Sequence, residues 1–476
     1  MRAAVRVGEP VGRIGPGLFG HNLEHLADCI YPGLWRGGLR EDVVAAIAQL
    51  RPSVLRWPGG CFADHYHWLD GIGPQHQRPV RRNWHWGGTE PNSFGTEEFL
   101  ALCRRVDAGP HLSLNFGSGT LHEALRWVDY CNGELGTDDV SQRRAAGRHQ
   151  PHGVRLWGIG NETWGPWEAG HVPAEQYAHA LENWARMLKG HDPGAEVVAV
   201  GSSEARDPHW DRTVLDRAGH QIDHLSLHVY GCRSDHWVED EYLPVVCTPE
   251  YVQARIAALG QVLDHHRPGV PIALDEWNIR HYDANGALRR RSPRTLTDAV
   301  FAAGVLNALV RAGPRVSLAE YVVLTSGNAP IQLAGDRVVR TPLHHVFAGF
   351  SRWMRGQALS AEVDSPTVAM PEPQVEAPGH PPAAEGLPPR VSYVDAAAAG
   401  HERGVSLALV NRHRTAEVHA HLDLPDRLRP VRAWQLAHPD PNADNVARER
   451  VRPRLRPLTG TSCQLPPHSV TLVQAM

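Results

Sequence analysis

Two carboxylates in matching surroundings are the residues of this chain best suited to chemistry. An apolar run opening at Val154 leads into Gly158-Ile-Gly-Asn-Glu162, and a second run opening at Val270 leads into Asp275-Glu-Trp-Asn278. Each reads as a buried strand that stops abruptly in polar side chains, the pattern found at the C-terminal mouth of a parallel barrel. Glu162 and Glu276 therefore face one mouth if their strands belong to one barrel. Two such carboxyl groups suit glycoside hydrolysis, where a separation of about 5–5.5 Å serves retention and about 6.5–9.5 Å serves inversion. Either motif alone is weak; the repeated context ties them together.

Other chemistries find less support. The 30 histidines include His21 and His25 at i, i+4 and the nearby His65 and His67, but neither pair lies in an H-E-x-x-H helix beside a third ligand. A site without metal or cofactor is expected. His265-His266 and His344-His345 read as surface or capping residues of helices. Seven cysteines, odd in number and with no C-x-x-C pair, argue against a disulfide framework or zinc ribbon and fit a reducing compartment. With 48 basic and 52 acidic residues the net charge is −4, which gives no electrostatic case for nucleic acid or an anionic membrane. Residues 1–10 have no apolar core of signal-peptide length, and no run is expected to approach the length of a membrane span. A cytoplasmic location is expected.

The elements that would position Glu162 and Glu276 form an α/β pattern of eight strand-then-helix units, a (β/α)8 TIM barrel over residues 15–355. Strands are expected near residues 18–20, 53–57, 111–116, 154–159, 196–200, 222–228, 270–276 and 316–324. Helices are expected near 39–50, 95–108 (with Thr96 as cap), 120–131, 173–190, 248–266, 293–311 and 347–354. A long segment after Pro58-Gly-Gly60, carrying residues 61–70 and 83–86, exceeds what a connection needs, as functional loops do. No G-x-G-x-x-G follows the first strand, which lowers the dinucleotide-fold alternative. Composition shifts after Arg355. Residues 371–389, rich in Pro, Ala and Glu, read as an exposed or poorly ordered connection. Short alternating strands at 404–411, 416–422, 431–436 and 469–473 suggest a C-terminal all-β sandwich over 356–476, joined by an N-terminal strand within 1–14. Most of the 15 tryptophans are expected in the core.

With these segments laid out, the chain resembles the α-L-arabinofuranosidases of glycoside hydrolase family 51. The resemblance covers most of residues 17–355 and rests on Phe19-Gly-His-Asn-Leu-Glu-His25, Arg56-Trp-Pro-Gly-Gly-Cys-Phe-Ala-Asp64, Tyr66-His-Trp-Leu-Asp-Gly-Ile-Gly-Pro74, Asn92-Ser-Phe-Gly-Thr-Glu-Glu-Phe99, Gly158-Ile-Gly-Asn-Glu162, Gly165-Pro-Trp167, Ser226-Leu-His-Val-Tyr230 and Asp275-Glu-Trp-Asn278. It implies a retaining mechanism with Glu162 as acid/base and Glu276 as nucleophile. It further implies that Asn161 meets the sugar 2-hydroxyl, that Glu24 binds sugar hydroxyls, and that His228 and Tyr230 belong to the site. Trp86 would wall the pocket. Cys61 stands where some members carry an amide, and a thiol makes a weaker sugar contact. Residues 318–328 depart from the family's last-strand pattern, and Thr341 stands about where some members have a substrate-binding Gln.

The structural alternative for each residue is plain. Asn161 could satisfy loose backbone groups, Glu24 could be a solvated loop acid, and His228 with Tyr230 could be a packed strand-end pair. Trp86 could be core. The rival functions are a β-xylosidase or β-1,4-glucanase of the same family and a non-catalytic carbohydrate-binding protein. The expected activity is exo release of terminal L-arabinofuranose from short arabino-oligosaccharides by a homo-oligomeric protein.

Overall fold

The computed structural model describes residues 1–202, 208–234, 241–375, 386–425 and 428–476. Eight parallel strands close on themselves: β1 (Gly17–Asn22), β2 (Val54–Trp57), β3 (Gly109–Leu114), β4 (Leu156–Ile159), β5 (Glu196–Ala199), β6 (His224–Ser234), β7 (Ile272–Tyr282) and β8 (Val316–Val322). Closure is through β8 and β1, with Leu318 opposite Gly17 and Tyr321 opposite His21. Strands buried on both faces by a helical jacket read as short apolar runs, and all eight were expected. The fold is a (β/α)8 barrel with an all-β region beside it.

The helices follow from their apolar stripes. Val43, Val44, Ile47 and Leu50 of Glu41–Leu50 are buried, as are Tyr177, Leu181, Trp184 and Leu188 of Ala174–His191. Two helix starts differ from expectation. Thr96 is not a cap: Gly95 is, its N–H donating to Glu98, while Thr96 is buried and its hydroxyl accepts from the Trp127 indole at 3.1 Å. The last barrel helix runs over Pro342–Trp353 rather than starting near 347, because Thr341 caps it by accepting from the His344 N–H and Pro342 fills its first turn. Thr341 also donates to the Pro330 carbonyl at 2.8 Å, so its hydroxyl is consumed by the fold rather than turned to a substrate. His344 is buried, not on the surface, and its ring reaches the Ala46 carbonyl at 3.0 Å.

The second sheet has nine strands in the spatial order Arg454–Pro457, Pro430–Leu436, Ser469–Ala475, Gly404–Asn411, Val394–His401, Gln357–Asp364, Arg2–Arg13, Val418–Asp423 and Ser462–Leu465. It folds over its own core, since Ala433 near one end of the order packs in one cluster with Leu465 and Ala420 at the other. Alternation in Gly404–Asn411 divides the work: Leu407 and Leu409 face that core, Ala408 and Val410 face the barrel. The helix Leu296–Ala312 is caught between strands and sheet. This explains why Leu296–Arg315 has the length and apolarity of a membrane span, a run the sequence reading passed over, although 89% of its apolar window is buried in protein. Asp395 pins the contact, accepting from Asn307 at 2.8 Å and Arg311 at 2.7 Å. Of residues 371–389, read as a loose connection, 376–385 lie outside the described residues; Gln374 is held by the Thr248 hydroxyl at 2.9 Å.

Candidate active site

The turn after β4 aims Glu162 into the barrel mouth. Gly160 has φ +82°, and Glu162 itself has φ +42°, a left-handed conformation that costs a non-glycine residue about 1–2 kcal/mol. Such strain persists where the surroundings over-determine it, and here four groups grip the two carboxylates. Glu162 Oε1 lies 2.7 Å from His228 Nδ1, and Oε2 accepts from the Trp167 indole at 3.0 Å. Glu276, on β7 and in register with His228 on β6, accepts from Arg56 Nη1 at 2.8 Å and from the Tyr230 hydroxyl. One carboxylate oxygen of each glutamate and a His228 nitrogen all lie within 4.8 Å of one another.

The barrel interior supplies the charges that hold this arrangement. Arg56 is buried on β2; burial opposes its charge, but Asp275, Glu276 and Glu320 hold it cationic. It donates to Asn161 Oδ1 at 2.8 Å as well as to Glu276. Asp275 accepts from Ser226 at 2.5 Å and lies 3.4 Å from His228 Nε2; despite burial, Arg56 and His228 keep it well below the usual carboxylate range. His228 is pulled in both directions. Burial disfavours its cation, yet Glu276, Asp275 and Glu162 together raise its pKa well above the ordinary value. For Glu162 burial again opposes charge, and the His228 hydrogen bond and cation, Trp167 and Arg280 outweigh it, leaving the carboxyl below its ordinary range. In the resting site the shared proton therefore sits mainly on His228.

Of the residues expected in the site, Glu24, Cys61, Trp86, Glu162, Tyr230 and Glu276 line one cavity of about 640 Å³, its open mouth included. Trp86 is a wall, and its indole donates to Glu24 at 2.8 Å. Glu24 is no solvated loop acid: it is 3% exposed, and burial and the nearby Glu276 charge raise its pKa. Asn161 and His228 stand behind the lining, Asn161 donating to Glu168 at 3.2 Å. Cys61 remains a neutral thiol, since burial and then Glu168 and Glu24 push its pKa well up. Gly60 belongs to the site through its lack of a side chain: a Cβ there would lie 2.4 Å from Glu276 Oε1. Three of the four histidines weighed as ligands are engaged elsewhere. His21 packs edge-on against Phe347 and is held neutral, its pKa lowered to about 3 by burial and His344. His25 sits 2.6 Å from Glu90, and His67 3.0 Å from Glu123.

Several groups were quoted in motifs without a role: Arg56, Asp275 and Trp167. Their partners lie on other strands, and only adjacency to Pro58-Gly-Gly60, Glu276 and Glu162 hinted at them. Glu168 escaped notice altogether. It is 5% exposed, and burial, followed by the Glu162, Asp64 and Glu276 charges, raises its pKa to about 9 against a contact with Cys61 that lowers it. The folded state thus keeps a proton that the unfolded chain releases near 4.5. Between those values the native state binds more protons, so stability falls as pH rises across the window. Glu168→Gln, which copies the neutral acid, is expected to flatten the decline of Tm between pH 5 and 9 by about the share this group contributes; an unchanged slope in calorimetry would show that Glu168 is ionised in the fold.

A parallel barrel with two strand-end carboxylates converging on one cavity has the form of a barrel glycoside hydrolase. Residues 46–243 match the "Alpha-L-arabinofuranosidase 1 domain" family and residues 275–469 the "Alpha-L-arabinofuranosidase C-terminal domain" family. Alpha-L-arabinofuranosidase C of Emericella nidulans is 33% identical over 447 residues, spanning 87% of this chain and 85% of that protein. The intracellular exo-alpha-(1->5)-L-arabinofuranosidase of Streptomyces lividans is 31% identical, over 95% of this chain and 70% of its own length. The structure of the thermostable GH51 alpha-L-arabinofuranosidase from Thermotoga petrophila superposes with a TM-score of 0.86 at 31% identity, over 99% of each chain. The chain belongs to the α-L-arabinofuranosidases of glycoside hydrolase family 51.

Proposed function

We propose that the protein is a retaining, exo-acting α-L-arabinofuranosidase that releases terminal L-arabinofuranose from arabino-oligosaccharides by double displacement. The observation that supports the retaining mechanism is that an oxygen of Glu162 and an oxygen of Glu276 lie within 4.8 Å of each other, in keeping with the carboxyl separation of about 5–5.5 Å that serves retention rather than the roughly 6.5–9.5 Å that serves inversion. Glu276 attacks the anomeric carbon while Glu162 delivers a proton to the departing oxygen. Glu162 then takes a proton from the water that cleaves the glycosyl ester.

Arg56 and Tyr230 hold the nucleophile's two oxygens, so attack starts from a fixed orientation. The His228 imidazolium is the reservoir that supplies Glu162, across the 2.7 Å hydrogen bond. Glu24, held by the Trp86 indole and the Phe62 N–H, receives sugar hydroxyls. Asn161 has a second amide hydrogen beyond the one given to Glu168, and it serves the 2-hydroxyl from behind the lining. Cys61 fills space and contributes a weak donor.

The Streptomyces lividans relative is named as intracellular and exo-acting, which supports exo release and a cytoplasmic location here. A homo-oligomer is inferred from the family resemblance; a sedimentation mass of one chain would overturn it. The activity is tested with nitrophenyl α-L-arabinofuranoside, β-D-xyloside and β-D-glucoside. Turnover of the furanoside at least about a hundredfold above the others is expected, the discrimination available from mispositioning the reacting carbon. Preference for the xyloside or glucoside overturns the arabinofuranosidase reading.

A further inference from the structure

Three consecutive arginines, Arg289 to Arg291, begin in the short strand Leu288–Arg289 that pairs antiparallel with the end of β7. The outer two reach carboxylates outside the cavity: Arg289 Nε lies 3.9 Å from Asp283 and Arg291 Nη2 lies 3.2 Å from the buried Asp28. Arg290 turns instead into the catalytic cavity, its guanidinium 4.4 Å from the centre of the Trp86 ring. Among the described residues no carboxylate lies within 4.0 Å of it. Arg280, near the end of β7, lines the same cavity with its guanidinium 3.7 Å over the Tyr230 ring. Partial burial and the Arg280 charge both lower the Arg290 pKa, so the pair stands together at a cost.

A neutral furanose gives the Arg290 guanidinium nothing to neutralise. Burial along the cavity says which part of a substrate meets the arginines: Glu24 and Glu276 are buried, Glu162 and Arg280 are half-buried, and Arg290, though partly covered, is the most open of the five. The sugar that is attacked belongs at the Glu276 end and the leaving group beyond Glu162, so the arginines border the aglycone. A guanidinium lying face-on against an aromatic ring keeps its in-plane N–H edge for a planar, bidentate acceptor, the geometry of a carboxylate. A dianionic phosphate fits less well, because Glu24, Glu162 and Glu276 share the cavity and repel the second charge more strongly.

Resting on the hydrolytic reading above, we propose that Arg290, with Arg280 beside it, forms an aglycone subsite for a carboxylate, so that arabinofuranosides of uronic acids or carboxylated phenols are preferred over neutral ones. Electronic differences between leaving groups cancel when each substrate's kcat/KM is compared across variants. The probes are 4-carboxyphenyl and 4-carbamoylphenyl α-L-arabinofuranoside, assayed with the wild type, Arg290→Gln and Arg290→Lys. In Arg290→Gln the acid-to-amide ratio is expected to fall roughly tenfold, chiefly through KM, the scale of losing one charge-assisted contact at a half-open site. Arg290→Lys keeps part of the ratio, and 0.5 M salt shrinks it in the wild type by screening. A ratio unmoved by Arg290→Gln, with both glycosides still cleaved, overturns the carboxylate subsite alone. Cleavage of neither glycoside by the wild type overturns the hydrolytic reading and the subsite with it.

Discussion

Glu276→Ala is expected to lower kcat on a nitrophenyl α-L-arabinofuranoside by roughly 10⁴-fold or more, because a group acting as covalent nucleophile cannot be partly replaced by binding. The product formed with azide reads the role directly. With the carboxylate removed, azide occupies its place and displaces the aglycone in one step, giving the β-arabinofuranosyl azide with inverted configuration. Glu276 is the right group for this test because its two oxygens are held by Arg56 and Tyr230. Alanine leaves the buried Arg56 guanidinium with Asp275 at 3.8 Å and Asn161, so Glu276→Gln is the companion variant that keeps an acceptor for Nη1. If both variants fold and either retains more than a few per cent of wild-type turnover, Glu276 is not the nucleophile. Chemistry aside, loss of the Glu276 charge removes the largest group favouring the His228 cation, and the imidazole resonances should titrate at lower pH than in the wild type.

How far this site could be read from the sequence depends on where each residue finds its partners. Glu162 and Glu276 were legible because a barrel strand buried on both faces is an apolar run, and the carboxylates are its abrupt ends. Arg56 and Asp275 act through neighbours on other strands: Arg56 on β2 reaches Glu276 on β7 and Asn161 beyond β4. No local spacing records such contacts. β6 and β7 run on to Ser234 and Tyr282, beyond the expected ends, since Ile279 through Tyr282 pair with Gly231 through Ser234 past the barrel mouth. That extension is polar, and apolar periodicity could not reveal it. Thr341 stands about where some family members carry a substrate-binding Gln, but the Thr-Pro pair before an apolar helix is itself a capping signal, and the hydroxyl serves that cap. Nothing in the run Arg289-Arg-Arg291 sets Arg290 apart; only the fold shows its two neighbours paired with Asp283 and Asp28.

Glu162→Ala is expected to divide substrates by leaving group. General acid assistance is worth about 10²–10⁴-fold where the departing oxygen is a poor leaving group, so an arabinobiose should lose a factor in that range. A dinitrophenyl arabinofuranoside, whose phenolate departs without a proton, should form the glycosyl ester at close to the wild-type rate. Azide then attacks that ester in place of base-activated water and yields the α-azide with net retention, the opposite configuration to the product of Glu276→Ala. The pH profile adds a second readout specific to this chain. His228 is held well above its ordinary pKa and Glu162 below its own, so the pair carries one proton over the whole interval between them. Wild-type activity on the disaccharide should therefore stay flat through neutral pH and fall only when that proton leaves on the alkaline side. In His228→Gln the imidazolium that depresses Glu162 is gone, burial raises the carboxyl's pKa, and Glu162 must hold the proton itself. The alkaline limb should then move to lower pH while assistance to poor leaving groups survives. If His228→Gln leaves the limb where it was, the proton that cleaves the bond does not come from the His228–Glu162 pair.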